Sequence, residues 1–128
     1  MLDIAADKLR YIIDKAREFD VKVEVDDPDS GSDSADDSMG MREILEDLAD
    51  DPTAQELRDA IDALNEDEQL ALVALVWIGR GTYEPAEWRT ALADARREHV
   101  GSTSTYLMGT PLLADYIEAG LEAIGKSL

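Results

Sequence analysis

The chain has no cysteine among its 128 residues, so a disulfide framework and a thiolate metal site are both excluded. Histidine occurs once, at His99, which rules out a di-iron bundle built on paired Glu-x-x-His motifs. Aromatic residues make up only 5% of the sequence, and Phe19 is the only phenylalanine. Basic residues are also few, with 12 Lys and Arg against 30 Asp and Glu, for a formal net charge of −18. Such a field repels nucleic acid and anionic lipid and attracts basic proteins or cations. No apolar run is long enough to span a bilayer, and the first thirty residues contain no signal-like apolar core. A cytoplasmic location is therefore expected, with no membrane and no nucleic-acid partner. Gly79-Arg80-Gly81 lacks the length and the lysine of a phosphate-cradling loop, and no Gly-x-Ser-x-Gly motif is present.

What the chain does have is one uninterrupted apolar stretch, Leu70 to Ile78, inside NEDEQLALVALVWIGRG (residues 65–81). A helix apolar on every side must be covered on most of them, and at roughly 20 Å this one is too short for a membrane. Asn65 with Glu68 three positions on forms a capping-box pattern, and Gly79 and Gly81 suit the left-handed residue that ends a helix. The expected architecture is all-α in a single domain spanning residues 1–128. About six helices pack around this central apolar helix (residues 66–79).

The other elements follow from periodicity and punctuation. Leu9, Ile12, Ile13, Ala16 and Phe19 mark a helix over 3–19. Val21, Val23 and Val25 alternate with charged residues at strand period, but nothing else in the chain could pair with them, so extended chain is expected. Residues 26–38, DDPDSGSDSADDS, hold nothing to bury and form an acidic linker. An EF-hand register through Gly31 would put Pro28 at the third ligand position and Asp37 at the twelfth, so linker is preferred to calcium loop. Met41, Ile44, Leu45 and Leu48 predict a helix over 39–50. Asp51-Pro52 starts another with Leu57, Ala60, Ile61 and Leu64 inward. Glu84-Pro85 and Thr110-Pro111 repeat that start signal, and Ser102 caps a short turn over 103–108. Gly120 inside the last helix implies close approach of a neighbour.

The motifs WIGRG (77–81), Glu87-Trp88 and TYLMGTPLLADYIEAGL (105–121) resemble an uncharacterised bacterial family known as domain of unknown function 3775. The resemblance implies membership and a bacterial source; it brings no activity, cofactor or catalytic residue.

For function, the scarcity of aromatics makes one cluster conspicuous. Trp77, Tyr83, Trp88, Tyr106 and Tyr116 lie around Arg80 and Glu87 in the second half of the chain. Aromatic residues with an arginine are common at contact surfaces, though they also serve as core edge with a structural ion pair. Arg80 would then pair with Glu87 or Asp115, or bond the last carbonyls of the central helix. The function expected is a small acidic interaction or adaptor protein with no cofactor, a basic protein as its partner, and homodimerisation as an option. Two alternatives stay open. One is a small-molecule enzyme using Arg80 and carboxylates, with a divalent metal on Asp115, Glu118 and Glu122. The other is an acidic DNA mimic or decoy. His99 at a helix end reads as a dipole-favoured residue rather than a base. The charge excess also predicts self-repulsion, raised carboxylate pKa values and stability gained on mild acidification.

Overall fold

The computed structural model describes residues 4–26, 51–98 and 101–126. The acidic segment after Asp26, the helix expected over 39–50 and His99 lie outside the described residues. Within them the fold is all-α. It comprises α1 (Ala6–Asp26), α2 (Pro52–Asp62), α3 (Glu66–Arg80), α4 (Trp88–Glu98), α5 (Thr103–Met108) and α6 (Leu113–Ala123), with a 3₁₀ turn, Pro85–Glu87, leading into α4. Among the described residues no helix is long and apolar enough to cross a membrane.

The apolar stretch forms most of α3, and every side chain from Leu70 to Ile78 is buried. Its start is the expected capping box: Asn65 Oδ1 accepts from the Glu68 N–H at 2.8 Å, and Glu68 Oε1 accepts from the Asn65 N–H at 2.9 Å. Four first-turn donors have no intrahelical partner, and this exchange also satisfies the N–H of the cap residue itself. Gly81 ends the helix at φ +89°. Gly79 does not: it lies inside α3. A Cβ placed on it would come 1.9 Å from the Tyr116 carbonyl oxygen of α6. From the other side, a Cβ on Gly120 would meet the Leu75 carbonyl at 2.3 Å. The two glycines therefore let α3 and α6 cross backbone against backbone, with α4 and α5 also packed on α3.

The amphipathic helices cover what remains. Leu9, Ile12, Ile13, Ala16 and Phe19 of α1 are all buried, as their spacing predicts, and α1 packs on α2 and α6. In α2, Asp51 Oδ2 accepts from the Ala54 N–H at 3.1 Å ahead of Pro52, and Leu57 and Ile61 are buried. Gln69 Nε2 of α3 donates to the carbonyls of Ile61 and Leu64 at 3.1 and 3.2 Å, which ties the end of α2 to the start of α3. Arg17 of α1 pairs with Glu118 and lies 3.9 Å from Asp115 on α6. Exposed pairs of this kind contribute little stability.

Two local expectations are corrected. The valine alternation over 21–25 is helical, because α1 runs on to Asp26. Among the described residues a strand there has no ladder to join, whereas continuing the helix pairs each backbone N–H four residues back, even with Val21 exposed. Thr110-Pro111 does not begin the last helix. α6 starts at Leu113 after Leu112, whose φ is +60°, and Leu112 supplies no side-chain cap. The Asp20 carboxylate of α1 accepts from the Ala114 N–H at 3.3 Å instead, so the cap arrives from a residue 94 positions away. The Thr110 hydroxyl donates to the Tyr106 carbonyl at 3.2 Å.

Candidate functional site

Of the seven candidate residues, the fold brings three together. Trp77 closes the apolar run of α3 and is 8% exposed; its indole N–H donates to the Tyr106 hydroxyl at 2.9 Å. Tyr106, on α5, is 43% exposed. Tyr83 follows the Gly81 turn and stacks on Trp77, with ring centroids 5.7 Å apart and planes at 25°. Beside this trio is a recess of about 120 Å³, lined by Val73 and Trp77 of α3, Ala95 and Glu98 of α4, and Ser102, Thr103 and Tyr106 at the start of α5. Its position follows from local chemistry. Val73 and Trp77 are one helical turn apart, Ala95 is small, and Ser102 caps α5 by accepting from the Thr105 N–H at 3.3 Å.

A polar chain runs along the same edge. The Tyr83 hydroxyl donates to the Asp94 carboxylate, which also receives Arg97. The bond from Tyr83, and then Arg97, hold Asp94 below its ordinary pKa of 3.8. The same bond to Asp94 comes first among the causes that raise Tyr83 above 10.0, followed by burial and the charges of Asp94 and Glu98. In the α3 capping box, the Asn65 N–H lowers Glu68 from 4.5, with Lys8 adding to it. Glu68 and Asp94 thus shift opposite to the rise that self-repulsion predicts, since a specific donor on each outweighs the diffuse field.

These directions set a pH dependence. Glu68 and Asp94 titrate lower in the folded state than in the unfolded one. Their stabilisation is complete above the ordinary carboxylate range and lost as pH falls through the folded values. Tyr83 titrates higher when folded, so its contribution is complete below about pH 10 and lost as pH rises past that. Thermal melts across pH should fall at both ends. Tyr83→Phe, which keeps the ring, should flatten part of the alkaline fall. An alkaline limb identical in wild type and Tyr83→Phe would remove Tyr83 from the balance.

The other four candidate residues stand apart from this trio. Arg80 is exposed, and its Nε donates to the Thr82 hydroxyl at 3.2 Å. Neither expected ion pair forms: Glu87 accepts from the Glu84 N–H at 2.8 Å, and Asp115 faces Arg17. Tyr116 is half-buried, its backbone carbonyl lying against Gly79. Trp88 is 6% exposed at the start of α4, and its buried indole nitrogen has no hydrogen-bond partner among the described residues. Trp88→Phe removes that unpaired N–H, whose burial costs about 1–3 kcal/mol, and gives back a similar amount in lost volume. Urea unfolding should therefore place Trp88→Phe within about 1 kcal/mol of wild type and Trp88→Ala about 3–5 kcal/mol below it. A Phe variant as unstable as the Ala variant would show that the indole N–H is partnered.

Asp94, Glu98, Ser102 and Thr103 were not among the candidates. Asp94 and Glu98 are four apart on α4, so a shared helix face was readable, but nothing in the sequence places that face beside Trp77. Among the described residues no three His, Asp or Glu side chains are grouped to hold a metal ion. A second, shallower depression of about 310 Å³ lies between α1 and α2, lined mainly by Tyr11, Ile12, Ala60, Ala63 and Leu64.

A family model described as "Protein of unknown function (DUF3775)" matches residues 54–126, which is more than half of the chain and includes all seven candidate residues and the whole recess. No curated protein and no solved structure matches.

Proposed function

The chain belongs to the DUF3775 family, and from that premise we propose that it is a small acidic cytoplasmic interaction protein that engages a basic partner through the Trp77–Tyr83–Tyr106 face. The observation that carries this reading is Tyr106: a large aromatic side chain, half exposed, held by its hydrogen bond to a buried tryptophan. Contact residues that bind tightly are most often Trp, Tyr and Arg beside a pocket, and an aromatic already fixed in the free protein loses little rotamer freedom on binding. The net charge of −18 favours a partner of opposite sign and speeds encounter with it. The enzyme reading has less support. Arg80 bonds Thr82 rather than lining the recess, and the carboxylates Asp115 and Glu118 face Arg17.

The test is affinity capture from the host extract with wild type and Tyr106→Ser side by side, after melts establish that both are folded. A basic protein retained by wild type and lost with Tyr106→Ser is the expected result. A captured set that is unchanged by Tyr106→Ser would remove this face as the contact surface. A set that follows overall charge alone, eluting identically for both proteins with salt, would favour the decoy reading.

A further inference from the structure

We propose that the recess beside Trp77 takes a single cationic side chain, the guanidinium or ammonium end of an Arg or Lys from the partner. This rests on the interaction reading above and adds the chemistry of the contact. At about 120 Å³, the recess has room for the tip of one side chain. Two of the residues that line it are the aromatics Trp77 and Tyr106. Because the Trp77 N–H is already donated to Tyr106 and Tyr83 stacks on the indole, what Trp77 still offers the recess is a margin of aromatic surface, of the kind that attracts cations.

The charge at the rim has the matching sign. Glu98 lines the recess, and its charge reaches Tyr83, where it helps to raise the phenol pKa. Among the described residues no cation pairs with Glu98, whereas its neighbour Arg97 is engaged by Asp94. An anion entering the recess would meet Glu98 and the surrounding acidic field. An apolar group would cover Glu98 without a partner, and burying an unpaired carboxylate is costly. A cation satisfies the carboxylate and the aromatic surface together, and it is the class of ligand that the net charge of −18 concentrates near the surface.

The test uses the full chain, ¹⁵N-labelled, in 0.15 M sodium chloride. Short neutral-capped Gly/Ser peptides carry one central Arg, Lys, citrulline or norleucine. The two indole signals are assigned from Trp88→Phe, which removes one of them. The Arg and Lys peptides are expected to shift the Trp77 indole signal saturably and to leave that of Trp88 in place. The citrulline and norleucine peptides are expected to leave both unmoved. Glu98→Gln, a change at an exposed position that preserves shape, should weaken the Arg peptide about tenfold, the usual order for one charge-assisted contact. Equal binding of citrulline, or full Arg binding by Glu98→Gln, would overturn the proposal. So would shifts spread over the acidic helix faces without Trp77. Partner capture separates this failure from that of the broader reading. Capture lost with Tyr106→Ser and kept with Glu98→Gln rejects the cation contact alone, while capture kept by both rejects the interaction face itself.

Discussion

Alanine at Gly79 or Gly120 is expected to lower the unfolding free energy on the order of 3 kcal/mol or more, against the direction that helix propensity gives. In an isolated helix, Gly→Ala gains about 1 kcal/mol, because glycine loses more backbone freedom on folding. Here the added Cβ would sit 1.9 Å from the Tyr116 carbonyl oxygen at position 79, and 2.3 Å from the Leu75 carbonyl oxygen at position 120. Both obstacles are backbone, so neither can rotate away, and relief requires α3 and α6 to separate along their contact. Overpacking against side chains costs about 1–3 kcal/mol, and separating two backbones should reach the top of that range or pass it. Against a total stability of about 5–15 kcal/mol, either substitution should depress the melting temperature by roughly 10 °C or more. Gly81→Ala is the control. Its φ is +89° but a Cβ there meets open space, so it should cost only about 1–2 kcal/mol from conformation. Gly79→Ala or Gly120→Ala proteins more stable than wild type would show that the helices do not cross this closely.

Trp77→Ala should cost about 3–5 kcal/mol, the usual penalty for truncating a buried tryptophan. The side chain is almost wholly buried at the end of α3, stacks on Tyr83 and bonds Tyr106, so its removal leaves a cavity and loses both contacts. Trp77→Phe should fall between. It retains an apolar ring in the core and loses the indole bond, worth about 0.5–1.5 kcal/mol, because the half-exposed Tyr106 hydroxyl can turn to water. The measurement is chemical unfolding of the three proteins side by side. A Trp77→Ala protein within about 1 kcal/mol of wild type would place the indole at the surface and make it a contact residue outright. The order Trp, Phe, Ala also separates structure from recognition, since a binding defect that exceeds the stability loss in Trp77→Phe points to the indole itself.

Much of the fold was legible because its signals are local. An apolar run bounded by Asn65 and Gly81 can only be a covered helix, and Asn65 with Glu68 makes the reciprocal bonds that their spacing allows. Gly120 was readable as a close approach because a glycine within a helix otherwise only weakens it. Its counterpart Gly79 was not, since a glycine near a helix end has a ready local explanation as a terminator. The valines of 21–25 misled for a related reason: period two describes side chains, while the backbone takes whichever state pairs its N–H groups, and here only the helix does.

The candidate site divides along the same line. Trp77, Tyr83 and Tyr106 were selected because aromatics are scarce in this sequence, and the structure joins them through one ring contact and one hydrogen bond. The Asp94 carboxylate that binds Tyr83, and the Glu98 that lines the recess, became visible only once α4 lay against α3.

The sequence by itself determined helix content, the burial of Leu70–Ile78, the capping of α2 and α3, and the sign of the surrounding field. Each of these depends on residues within a turn or two of one another, or on a sum over the whole chain. Only the tertiary structure decided that Arg80 bonds Thr82 instead of Glu87 or Asp115, that Asp20 caps α6, and that a recess with Glu98 in its lining opens beside Trp77. Those outcomes depend on how the helices and turns sit against one another, and the α3–α6 crossing in particular rests on close backbone contacts at two glycines, which no local spacing encodes.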